Sequence, residues 1–107
     1  MHQATYDELK RVAKTQGTTT YGAIAPLAGL DMSNPADRNE IARILGEIST
    51  HEDNQGRPML SAVVVLQEIN MPGQGFFTLA RDLGLYSGHD DLAFFSREVA
   101  QVHAAWK

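Results

Sequence analysis

The spacing of apolar residues predicts two long amphipathic helices. The stripe of the first helix, in residues 33–56, consists of Ile41, Ile44, Leu45 and Ile48. Helical periodicity places residues at this spacing on one face. Pro35 suits the first turn of this helix, and Ser33 or Asn34 is the expected N-cap. The stripe of the second helix, which begins near Asp90, consists of Leu92, Phe95, Val99, Val102 and Trp106.

Shorter elements are predicted around these two helices. Residues 5–15 fit a first helix, which Gly17 can end. A short helix is expected near Tyr21, bent or shortened by Pro26 and closed by Gly29. Residues 59–67 are rich in β-branched side chains and predict a strand, and residues 77–84 predict a helix after a turn. The order favours a mostly α, α+β single domain over residues 1–107.

The same patterns predict the core and raise a question about one turn. The residues expected to be largely buried are Ile41, Leu45, Ile48, Val63, Val65, Leu79, Phe95, Val99 and Trp106. Of the adjacent Phe76 and Phe77, one is expected in the core and one partly exposed.

The Pro-Gly-Gln-Gly sequence before them, residues 72–75, fits a tight turn that uses glycine for positive φ. The alternative is an anion site in which the amides of residues 73–76 face a phosphate. We favour the tight turn.

Composition and charge exclude several classes of function. The chain of 107 residues contains no cysteine, so it has no thiolate nucleophile, disulfide or cysteine-ligated metal. No apolar stretch reaches the length of a membrane span, and the first residues lack the apolar region of a signal peptide. We therefore expect a cytoplasmic protein without membrane contact. The formal net charge of −4 argues against a strongly basic nucleic-acid binder but leaves room for a local basic patch.

Two groups of polar residues are candidate sites. Glu47 and His51 are four residues apart, as metal ligands can be, but no second histidine is near. We expect a solvated helix end there, with no metal and no cofactor. Arg38, Asn39 and Arg43 are expected on the exposed side of the long helix, and such side chains read guanine and adenine edges. A mixed-charge solvated face is an equally good interpretation of these three.

The middle of the chain resembles the C-terminal domain of alkylguanine-DNA alkyltransferases and of alkyltransferase-like proteins. "TTTYGAIAPLAG" is similar to their tyrosine-containing helix, "EIARILGEI" to their recognition helix, and "LSAVVVLQEINMPGQGFF" to their active-site strand and glycine-rich turn. The resemblance covers roughly residues 18–77 and implies a winged helix-turn-helix. "GRP-L-SA-VV" and "PG-GFF" also resemble a bacterial family of small uncharacterised proteins, which implies no function.

Departures from the alkyltransferase pattern remove its chemistry. The family carries Pro-Cys-His-Arg on the strand, whereas this chain has Ser61-Ala62-Val63-Val64, without a thiol or a histidine. Alkyl transfer needs an activated thiolate. Ser61 lacks the Gly-x-Ser-x-Gly sequence of a serine nucleophile, and the sequence places no histidine near it. We therefore expect no catalytic residues.

The resemblance predicts non-catalytic nucleic-acid binding through the long helix and the glycine-rich turn. The residues expected to bind are Tyr21, Arg38, Asn39, Arg43 and Gln74. The family's tyrosine that aids nucleotide rotation corresponds to Tyr21. The arginine that the family inserts into the base stack corresponds to about Gly46. The alternative is a small protein–protein interaction or regulatory adaptor domain, which the acidic balance suits better.

Overall fold

Five α-helices, two 3₁₀ turns and one short sheet make up the protein. The computed structural model describes residues 1–107. The helices are α1 (Gln3–Lys14), α2 (Tyr21–Ile24), α3 (Pro35–Asn54), α4 (Gln74–Asp82) and α5 (Asp91–Ala105). The strands are β1 (Thr19–Thr20) and β2 (Val64–Val65), and the 3₁₀ turns are Ala25–Ala28 and Leu60–Val63. The mostly helical α+β class predicted from the sequence is confirmed.

Local chemistry explains where the helices begin and end. The Asn34 side chain caps α3 by accepting the N–H groups of Ala36 and Asp37. α1 begins two residues earlier than predicted because the His2 ring accepts the Thr5 N–H at 3.3 Å and serves as the cap. The helical segment that begins at Tyr21 continues as the first 3₁₀ turn and ends at Gly29, whose φ of 70° is left-handed.

The predicted strand at 59–67 is much shorter than expected. Its first part, Leu60–Val63, is a 3₁₀ turn, and only Val64 and Val65 form a strand, paired in parallel with Thr19 and Thr20. A single antiparallel bridge joins Leu66 to Met71 and closes the loop of residues 66–71, called the 66–71 loop below. Burial explains why this segment is rich in valine better than strand pairing does, because Val63, Val64 and Val65 are all buried.

The core lies around the second 3₁₀ turn, which α1, α3 and α5 all contact. Six of the nine residues predicted in the core are buried: Ile41, Leu45, Ile48, Val63, Val65 and Phe95. The other three, Leu79, Val99 and Trp106, are only half-buried and pack against the edge of the core.

The buried face of α5 differs from the predicted stripe. Leu92 is 59% exposed, whereas Phe94 and Glu98 are buried. This face of α5 is buried because Phe94 packs against aromatic rings of the preceding loop and helix. Phe94 stacks on Tyr86 with 4.5 Å between ring centroids and also contacts Phe76 and Phe77. Phe76 and Phe77 are both buried, so the expectation that one is partly exposed is wrong.

The end of α3 holds a buried ionic cluster where a solvated helix end was predicted. Glu52 is fully buried and receives hydrogen bonds from Arg57 Nε and Nη2 at 2.9 Å each and from the Tyr6 hydroxyl at 2.9 Å. Burial by itself raises the pKa of the Glu52 carboxyl, but the hydrogen bonds from Arg57 and Tyr6 outweigh burial and hold that pKa below its usual value. The cluster ties α1 to α3 and to the segment that follows α3.

None of the five α-helices combines the length and the apolar character needed to cross a bilayer.

Candidate functional site

A cavity of about 180 Å³ opens between α3, the start of α2, the second 3₁₀ turn and the start of α4. Eight of its thirteen lining residues are hydrophobic. Most of the wall comes from one face of α3, where Arg38, Ile41, Ala42, Leu45 and Gly46 follow at spacings of three, four, seven and eight. The helical periodicity that buries the α3 stripe therefore also builds this wall.

Tyr21 joins the two ends of the cavity. Its hydroxyl accepts the N–H of Gly73 at 2.7 Å, which links the first residue of α2 to the residue that precedes α4. Burial raises the pKa of the Tyr21 hydroxyl, although the bond from the Gly73 amide partly opposes this. The hydroxyl stays protonated at neutral pH, and its proton has no acceptor within the protein.

Ser61 and Ser49 form a buried hydroxyl pair at the cavity wall. Ser49 Oγ accepts the N–H of Ser61 at 3.1 Å and lies 2.6 Å from Ser61 Oγ. Both serines are buried, and either hydroxyl can donate to the other. Ser61 lines the cavity. When Ser49 donates to Ser61, the Ser61 proton is free to meet a ligand in the cavity.

The structure separates the five residues predicted to bind nucleic acid into two groups. Tyr21 and Arg38 line the cavity, and Gln74 is exposed between two lining glycines, Gly73 and Gly75. Asn39 and Arg43 are exposed on α3, as predicted, but lie outside the cavity.

Arg38 and Arg43 differ in their charge environment. Arg43 already binds Glu40 through Nε at 2.7 Å and Nη2 at 2.8 Å, and its Nη1 lies 3.6 Å from Glu47. Arg38 forms no ion pair and no side-chain hydrogen bond with another residue. Arg38 is also the only charged residue that lines the cavity. Its guanidinium is therefore the one free charge at this site.

The glycine turn before α4 differs from both of its predicted forms. Gly73 has φ −69° and ψ 169° and is the N-cap of α4, while Gly75 lies inside the first helical turn. The left-handed residue in this region is Asn70, with φ 53°. The Gly73 amide is used by Tyr21 rather than left free for an anion. The turn thus aligns α4 against α2.

Gly73→Ala is expected to change stability by less than about 1 kcal/mol, because an ordinary φ is open to alanine. The added Cβ meets only the Tyr21 side chain, whose hydroxyl oxygen lies 3.4 Å and whose Cζ lies 3.8 Å away. Gly29→Ala is the matched control, because its φ of 70° strains alanine and should destabilise more. Urea denaturation of both variants measures the difference. An equal loss for both would show that Gly73 is conformationally required.

The serine pair is not among the residues that the sequence predicts to form a site. The available signal was helical spacing, because Ser49 lies eight and four residues after Ile41 and Leu45, on the buried face of α3. The candidate metal pair is not brought together with other ligands: Glu47 binds the N-terminal amine at 3.0 Å, and His51 packs edge-on against Tyr6 at 5.7 Å.

Comparisons of the chain with protein-family models, with curated proteins and with solved structures found no significant match.

Proposed function

We propose that this protein binds nucleic acid without catalysing a reaction, through α3, the 66–71 loop and the glycine turn of residues 72–75. The cavity between α3 and the first residues of α2 and α4 receives one unstacked base. The observation that carries the proposal is the unpaired Arg38 beside an apolar cavity that the Tyr21 and Ser61 hydroxyls line. Pockets that take unstacked bases combine apolar or aromatic walls with a few hydrogen-bonding groups.

The order of elements supports this proposal. α2 and its 3₁₀ extension, α3, β2 and the bridged 66–71 loop follow one another as helix, helix, strand and hairpin-like loop. This is the order expected of a winged helix-turn-helix, with the 66–71 loop in the place of the wing. Ile69 in this loop is 59% exposed, a position from which an apolar side chain can contact a base.

A salt series tests the proposal. Anisotropy titrations with single-stranded and duplex oligonucleotides, between about 50 and 200 mM salt, should show affinity that falls as salt rises. Arg38→Ala should lower affinity and reduce the slope of log K against log salt by about 1, as the loss of one phosphate contact does. Arg43→Ala should have a smaller effect because Glu40 and Glu47 already neutralise Arg43.

Two further variants make the test specific. Gln74→Glu adds a negative charge at the edge of the cavity and should weaken binding most at low salt, where repulsion is least screened. Arg11→Ala is the control, because Arg11 binds Glu8 on α1 and does not line the cavity. Equal affinity of the wild type, Arg38→Ala and Gln74→Glu would exclude binding at this site, and so would an absence of affinity at moderate salt.

A protein-interaction or adaptor domain is the second candidate, and the distribution of charge favours it. Arg57 is held by Glu52, and Arg43 by Glu40, so Arg38, Arg43 and Arg57 do not form a continuous band of free positive charge. The formal net charge of −4 adds long-range repulsion toward phosphates. The salt series separates the two candidates, because an adaptor has no salt-dependent affinity for either oligonucleotide.

A further inference from the structure

The cavity has the size of a single-ring ligand. An apolar protein cavity of about 150 Å³ holds one benzene molecule, and this cavity measures about 180 Å³. Its apolar wall includes Ile41, Leu45, Leu66, Phe76 and Leu79. One aromatic ring with a small substituent therefore fits, whereas two fused rings with substituents would fill the space and extend through the opening.

The polar side chains of the cavity belong to Arg38, Tyr21 and Ser61. The Arg38 guanidinium can only donate, whereas each hydroxyl can donate one proton and accept through its lone pairs. The Tyr21 oxygen already accepts the Gly73 N–H, and the Tyr21 proton has no partner in the protein. The Ser61 hydroxyl is paired with that of Ser49, and either oxygen can be the donor. No carboxylate and no side-chain amide lines the cavity. The free donors of Arg38 and Tyr21 therefore favour a ligand that presents acceptors.

The charge of the cavity also determines the charge of the ligand that it can bind. Arg38 is the one basic residue at the cavity, and it has no acidic partner. One unpaired guanidinium balances one negative charge, whereas a polyanion would also meet the repulsion of a chain with formal net charge −4.

We propose that the cavity is a binding site for a free small organic anion, namely one aromatic or heteroaromatic ring with a single anionic substituent and an acceptor atom on the ring. The anionic group pairs with Arg38, the ring contacts the apolar wall, and the ring acceptor accepts a hydrogen bond from the Tyr21 or Ser61 hydroxyl. The site does not depend on nucleic-acid binding. If the protein does bind a strand, this ligand occupies the place of the unstacked base and acts as a competing effector.

Three probes separate the contributions of charge and ring acceptor. Isonicotinate carries a carboxylate and a ring nitrogen, benzoate carries only the carboxylate, and isonicotinamide carries the ring nitrogen without the charge. In ¹H–¹⁵N NMR titrations at neutral pH, isonicotinate should shift the amides of Gly46, Ser61, Gly73 and Gly75 and bind tightest. Loss of the ring acceptor or of the charge should each weaken binding about three- to tenfold, the value of one hydrogen bond or ion pair.

Matched variants assign the effect to named side chains. Arg38→Gln should abolish the preference for isonicotinate over isonicotinamide, and Ser61→Ala or Tyr21→Phe should reduce the preference for isonicotinate over benzoate. Arg11→Gln, away from the cavity, should bind all three probes like the wild type. The dispersion of each variant's spectrum shows that it is folded, and two acceptor-side variants keep the test decisive if one fails to fold.

Defined outcomes overturn the inference. Shifts confined to residues outside the cavity would do so, as would equal binding of isonicotinate and isonicotinamide by the wild type. The oligonucleotide titrations report separately on the proposed function: DNA affinity without probe binding rejects only the small-anion site, and probe binding without DNA affinity rejects only the nucleic-acid function.

Discussion

Glu52→Gln is expected to destabilise the protein by about 3 kcal/mol at neutral pH, within the range for breaking a buried ion pair. Glu52 is fully buried and accepts two hydrogen bonds from Arg57 and one from Tyr6. Glutamine keeps the size of the side chain but loses the charge, and its amide nitrogen must face a donor. Arg57 is half-exposed and can recover part of its hydration, which keeps the loss from being larger.

Glu98→Gln is the matched control at the second buried glutamate. Glu98 Oε2 accepts the Met59 N–H at 3.0 Å, but no arginine forms an ion pair with it. Burial raises the pKa of the Glu98 carboxyl, and the Met59 hydrogen bond only partly opposes this. A glutamine oxygen can accept the same N–H without a buried charge. The free energy of unfolding of Glu98→Gln at neutral pH should therefore equal or exceed that of the wild type.

The two variants should also differ in their pH dependence. The pKa of Glu52 is lower in the folded state than in the unfolded state. The ionised carboxylate therefore contributes its full stabilisation above the unfolded-state pKa and loses it as pH falls through the folded-state pKa. The difference between wild type and Glu52→Gln should therefore shrink as pH falls below about 4. The folded pKa of Glu98 is raised, so stability from its protonation is lost as pH rises through that value. Urea denaturation across this pH range measures both, and equal effects at neutral pH would contradict the assignment.

Leu45→Ala should destabilise the protein by about 2–5 kcal/mol, as large-to-small core substitutions do. Leu45 is 5% exposed and lies on the wall of the cavity, so its truncation enlarges a space that neighbouring side chains do not fill. Leu92→Ala makes the same chemical change at a side chain that is 59% exposed and should change stability by less than about 0.5 kcal/mol. Thermal and urea denaturation of both give the comparison. A loss below about 1 kcal/mol for Leu45→Ala would show that the α3 stripe is not anchored in the core.

The helices could be predicted from the sequence because their signals are local. The stripe of α3, its capping residue and its proline lie within a few turns of one another, and the structure has the helix at Pro35–Asn54. Gly29 and Gly84, placed at helix ends from the sequence, both have left-handed φ values. The strand at 59–67 was overestimated because β-branched residues suit any buried extended segment, and pairing depends on a partner far away in the chain.

Part of the candidate site was also visible in the sequence. Tyr21 was predicted from the motif that contains it and Arg38 from its place on the exposed side of the long helix, and both line the cavity. The free charge of Arg38 and the neutralised charge of Arg43 can also be distinguished in the sequence. Arg43 has Glu40 three residues before it and Glu47 four residues after it, whereas Arg38 has no carboxylate three or four residues away on α3.

The amino-acid sequence by itself determined the helical class, the capped start of α3 and the absence of thiol chemistry, because propensity, capping and residue type act over short distances. Only the tertiary structure decided which polar groups are buried and which partners they bond. Glu52 lies in a run of charged residues yet is buried by Tyr6 and Arg57, 46 residues before it and 5 after it. Tyr21 meets Gly73 across 52 residues. Such pairings arise when distant segments pack together, and no local pattern in either segment records its partner.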